Sequence, residues 1–105
     1  MTQKMNIIEL NDWLSKRKKA NENDSYSIYE CWDNIAKILS QNENDTILYL
    51  NHCKKEDLYY ISEIFEEIAF NFKSQKIIST FEELNQKYPE LDMQADIAIA
   101  KAIIK

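Results

Sequence analysis

The chain holds no glycine in 105 residues. Glycine enters the left-handed backbone region without steric penalty, and hairpin turns and phosphate-cradling loops depend on that freedom. Its absence argues against β-hairpin folds and against every Gly-rich nucleotide motif. Helices joined by short polar turns carry no such requirement. Apolar residues make up 45% of the chain, enough for one modest core whose burial offsets the entropy of ordering. The expectation is an all-α single domain over residues 1–105.

Charge narrows the range of partners. The formal net charge is −5, yet residues 1–20 carry five Lys/Arg against two acids, so the remaining 85 residues hold −8. An acidic body repels nucleic acid and anionic membrane and favours basic partners. No basic, aromatic-rich recognition element stands out, so direct nucleic-acid binding is not expected. No signal-like leader and no apolar run of about 18 residues is present. Cys31 and Cys53 lie in helical stretches without framework spacing and read as free thiols. Together these features predict a cytoplasmic protein with no membrane partner.

Apolar spacing predicts about six helices. The first covers 6–19, opened by Asn6 with Glu9 as a capping box, with Ile7, Leu10 and Leu14 buried. It ends in Ser15-Lys-Arg-Lys-Lys19, whose cations meet the negative end of the helix dipole. A polar linker, 20–26, precedes a second helix capped by Ser27 and running to Ser40. There Ile28, Cys31, Trp32, Ile35, Ile38 and Leu39 face inward, and Glu30, Asp33 and Lys37 face out. Asp45 is placed to cap a short third helix carrying Ile47, Leu48 and Leu50. A long fourth helix is expected over 55–74, and Ser74 caps a fifth, ended by Pro89. Asp92 would cap the last, 93–104, which is apolar nearly all round and reads as a wedge between other helices. Short connections imply antiparallel helical hairpins, with a solenoid-like stack left open and no true repeat in evidence.

Enzyme and metal chemistry find little footing. His52-Cys53 is the one neighbouring pair of ligand type, and two cysteines with one histidine do not complete a structural zinc site. Adjacent helical positions point about 100° apart, so the pair also fails as a Cys/His nucleophile. Glu63, Glu66 and Glu67 lack the Glu-x-x-His partners of a bundle di-metal site. Carboxylates on one exposed turn do not enclose a substrate as a glycosidase pair must. No cofactor, no metal and no catalytic residue is expected.

The predicted fourth helix poses the functional question. Leu58, Ile61, Phe65, Ile68 and Phe72, with Ala69, form one core-facing stripe. Tyr59, Glu63, Glu66, Glu67 and Phe70 fall opposite, with Glu56 and Tyr60 at the edge. Aromatics anchor protein interfaces, and carboxylates around them suit a partner rich in Lys and Arg. These seven residues are the candidate partner-binding set. The competing reading is a solvated face with its rings partly covered by neighbouring segments.

Several short runs carry a family likeness. Tyr29-Glu-Cys-Trp32, Asp45-Thr-Ile-Leu-Tyr-Leu50, the YISEIFEE run of residues 60–67, Lys87-Tyr-Pro-Glu-Leu91 and Asp96-Ile97 occur in order. This pattern, over residues 26–100, resembles small helical immunity proteins of bacterial polymorphic-toxin systems, including those of contact-dependent growth inhibition. The first 25 residues lie outside the likeness. The resemblance implies a cytoplasmic antitoxin that binds a cognate toxin domain, with a nuclease the expected toxin, and blocks it without turnover. It implies nothing about which surface binds, since contact residues differ among such proteins. A monomer is the expected state. The alternative is a helical adaptor, or a homodimer built through the last helix, with a partner that is no toxin.

Overall fold

The computed structural model describes residues 5–104. Seven α-helices and one 3-10 turn follow in order, with no strand among the described residues. Helix α1 spans Ile7–Lys19, α2 Ser25–Leu39, α3 Glu43–His52, α4 Lys55–Ser62, α5 Phe65–Phe72 and α6 Gln75–Lys87; Pro89–Leu91 form the 3-10 turn, and α7 spans Gln94–Ile103. The fold is all-α, packed into a body of 37 × 33 × 24 Å.

Local chemistry sets most helix ends. The Asn6 side chain accepts from the Glu9 backbone N–H at 3.0 Å, and the Ser74 hydroxyl accepts from that of Lys76 at 3.1 Å. Three expected caps are corrected. Asp24, not Ser27, caps α2, its carboxylate accepting from the Ser27 N–H and hydroxyl. Asn42, not Asp45, caps α3, accepting from the Asp45 N–H. In both cases the expected cap is the third residue of the real first turn, because a polar opening turn resembles a linker. Asp92 does not cap α7 either; it ends the 3-10 turn in the left-handed region, at φ 53°, and Met93 takes the cap position with no side-chain bond. With no glycine available, Lys73 and Asp92 fill the two left-handed positions among the described residues.

The long fourth helix is the main correction: it breaks after Ser62 into α4 and α5. The Ser62 hydroxyl donates to the Tyr59 carbonyl at 2.6 Å, and the Ile64 N–H bonds back three residues to Ile61. Ile61, Ile64, Phe65 and Ile68, spaced as one helical face, are all buried across this tight turn. Leu58, Ile61, Phe65, Ile68 and Ala69 of the expected stripe are nonetheless core, while Phe72 at its end is only half-buried.

Helix α5 is the centre of the molecule. It packs most extensively on α7 and also touches α2 and α6. Phe65 stacks on Phe81 of α6, with ring centroids 3.8 Å apart and planes 9° from parallel. Helix α1 lies on α2 and α4, so the N-terminal helix belongs to the same core through Leu10 and Leu14. On α7 only one stripe is wedged inward: Met93, Ile97 and Ala100 are buried, whereas Ala95, Ile99 and Ala102 stay exposed.

Candidate protein-binding site

The break between α4 and α5 divides the seven candidate residues. Helix α4 carries Glu56, Tyr59 and Tyr60, the two-residue turn carries Glu63, and α5 carries Glu66, Glu67 and Phe70. On the α4 side the carboxylates are occupied. Lys18 of α1 reaches Glu56 at 2.9 Å and Asp57 at 2.5 Å. Burial works against the Lys18 charge, but hydrogen bonds to Asp57 and Glu56 outweigh it and raise the pKa. Hydrogen bonding from Lys18 in turn lowers that of Glu56. Tyr59, 49% exposed, meets Tyr60 edge-on at 5.2 Å, and Tyr60 lies beneath the Arg17 guanidinium at 5.3 Å.

Glu63 is tied internally. Arg17 of α1, only 4% exposed, donates from Nε to Oε1 at 2.8 Å and from Nη2 to Oε2 at 2.7 Å. The Trp32 indole N–H of α2 donates to the same Oε1 at 2.9 Å. A bidentate guanidinium–carboxylate fork is the strongest neutralising geometry a side chain offers. The Glu63 bond raises the Arg17 pKa further, against the opposing effect of burial. One glutamate thus joins α1, α2 and the α4–α5 turn. The basic run at the end of α1 therefore does more than cap a dipole, since two of its cations hold acids of other helices.

The α5 residues face another environment. Glu66, Glu67 and Phe70 are exposed, Phe70 by 56%, and border a shallow recess with Ile103 of α7. Glu67 also borders an open groove of about 470 Å³ whose remaining lining comes from α2, chiefly Tyr26, Tyr29, Glu30, Trp32 and Asp33. Tyr26 is 79% and Tyr29 65% exposed. Among the described residues Glu67 has no ion pair. Partial dehydration pushes its carboxyl pKa up, and the charges of Asp33 and Glu66 push it further. Asp96, at the start of α7, is raised similarly, by burial first and then by Glu63 and Asp92.

The exposed α2 rings were not among the candidate residues. Tyr26, Tyr29, Glu30 and Asp33 follow helical spacing, so the outward stripe was present in the sequence once Tyr26 is placed inside the helix. The late cap at Ser27 kept it in the linker. Other expected candidates stay apart from this surface. His52 is exposed, with Nδ1 2.8 Å from the Leu48 carbonyl, and the Cys53 thiol donates to the Leu50 carbonyl. Burial pushes the Cys53 thiol up to about 11, with Asp57 adding to it, and burial also raises Cys31. Neither is activated for nucleophilic chemistry. Among the described residues no group of three His, Cys, Asp or Glu side chains is arranged to hold a metal ion, and no helix is long and apolar enough to cross a membrane. No protein-family model, no curated protein and no solved structure matches the chain, so the site rests on its own chemistry.

Proposed function

We propose that this protein is a cytoplasmic immunity protein that binds a cognate bacterial toxin domain with a basic surface, a nuclease in the first instance, and neutralises it by occlusion. The observation that carries the reading is the open face shared by α5 and α2. There Glu30, Asp33 and Glu67 line a groove with the exposed rings of Tyr26 and Tyr29, and Glu66 and Glu67 border the recess that holds Phe70. Rings supply anchoring area and carboxylates supply complementarity to cations, the composition expected of an interface core facing a basic partner. An acidic face also steers a basic partner into encounter, at rates that fall with added salt. The family likeness of residues 26–100 agrees with this reading without locating the surface. The chemistry is binding, not turnover.

The test is protection of cells that express the product of a toxin reading frame neighbouring this gene. Glu67→Lys and Tyr29→Ala should abolish protection at low expression and weaken toxin binding, with helical content unchanged. Glu63→Lys is a poor probe because it also breaks the Arg17 fork. If both clean variants protect as well as the wild type, the α5–α2 face is not the toxin-binding surface. A second reading, self-association through α7, draws on the 48% exposure of Ile99. Light scattering that finds only monomer at high concentration removes it.

A further inference from the structure

The groove between α2 and α5 has walls of one kind and charge of another. Trp32 stands edge-on to Tyr29, ring centroids 5.3 Å apart at 79°. Its indole N–H is already given to Glu63, so what it offers a ligand is π surface. Negative charge comes from both helices, Asp33 from α2 and Glu67 from α5. Asp33 meets Lys37 at 3.3 Å, an exposed i,i+4 pair worth only a few tenths of a kcal/mol and readily exchanged. Glu67 has no cation at all among the described residues. An occupant must therefore bring positive charge, a flat face for the rings and several donors for two carboxylates.

We propose that this groove seats an arginine side chain of the basic protein partner, its guanidinium paired with Glu67 and Asp33 and stacked on Trp32, with the nearly perpendicular Tyr29 ring at its edge. Arginine meets all three demands. Its planar fork pairs with carboxylates, it stacks on aromatic faces, and it gives up its hydration more easily than an ammonium. Lysine would satisfy the charge but neither the plane nor the fork. A divalent cation lacks a ligand set here. The groove is open and larger than one side chain, so the arginine arrives as part of a protein segment and not as an enclosed small molecule. The inference rests on the binding-face reading above and deepens it, yet its test needs no toxin.

The full chain, ¹⁵N-labelled, is titrated with acetyl-Arg-Arg-Arg-amide, the tri-lysine peptide and the tri-citrulline peptide while the Trp32 indole signal is followed. Trp13→Phe assigns the two indole resonances. The arginine peptide should shift Trp32 and bind about threefold or more tightly than the lysine peptide, and citrulline should not bind. Glu67→Gln should weaken the arginine peptide about fivefold and erase its advantage, whereas Glu83→Gln, an exposed acid on α6, should leave both unchanged. Equal binding of the arginine and lysine peptides, or an unaltered response in Glu67→Gln, overturns the arginine seat. Protection by the wild type against its toxin reports separately on the binding reading itself.

Discussion

Glu63 and Glu67 stand four residues apart, and an unbroken helix would put them on one face, equally open to a visitor. The turn after Ser62 separates them. Glu63 swings under a nearly buried arginine and an indole N–H, so its charge is matched within the fold. Glu67 is left above a ring-lined groove beside two other carboxylates, with no ion pair among the described residues. The first arrangement is structural, since a desolvated ion pair that loses one partner destabilises a fold strongly. The second supports the proposed binding role, since a carboxylate without an internal cation can pair with one from outside. Identical side chains four positions apart thus join three segments of the fold in one case and stand open to solvent in the other.

The contrast can be broken at either end. The largest effect is expected at the fork. Arg17→Met should lower unfolding free energy by about 3 kcal/mol, read by urea denaturation, because it strands Glu63 beside Trp32. A loss under about 1 kcal/mol would mean that solvent already satisfies Glu63. Next comes binding: Glu67→Lys should cost about 2 kcal/mol or more in toxin affinity, measured by calorimetry, while the melting temperature stays within a few degrees. A smaller change is expected from Glu63→Gln, which keeps the shape but loses the charge-assisted bonds. It should cost about 1–2 kcal/mol in stability and shift Trp32 fluorescence. If Glu63→Gln weakened toxin binding more than stability, the division between the two glutamates would be wrong.

The smallest effect has the opposite sign. Glu67→Gln should leave stability unchanged or raise it by up to about 0.5 kcal/mol at neutral pH. Because folding raises the Glu67 pKa, the folded protein holds that proton more tightly than the unfolded chain does. Its contribution is therefore favourable in acid and is lost as pH rises from the ordinary glutamate range through the raised folded value. The gap between wild type and Glu67→Gln should open over that interval and close below it. A gap of the same size at every pH would sever the link to titration.

Much of the fold was legible in the chain. Absent glycine, the capping signals at Asn6 and Ser74, the stop at Pro89 and the stripe from Leu58 to Ala69 act within a few residues, and local rules read them correctly. Two helix starts were read a turn late because Asp24 and Asn42 sit in polar stretches that look like linker. That error left Tyr26 in the linker, while Tyr29, Glu30 and Asp33 lay inside the expected helix and join the candidate face only through the packing of α2 beside α5. Glu66, Glu67 and Phe70 were recognised as outward because their own helix determines where they point.

What the sequence by itself determined is helix content, most helix ends and the composition of the core, all governed by neighbours three or four residues away. Only the tertiary structure decided that the chain turns at Ser62, that Arg17 claims Glu63 across 46 positions, and that α2 lends its rings to the carboxylates of α5. Those outcomes depend on which helices meet, and a charge becomes matched or unmatched only when the partner helix arrives. Periodicity fixes the direction of a side chain from its own axis; it carries no information about what stands opposite.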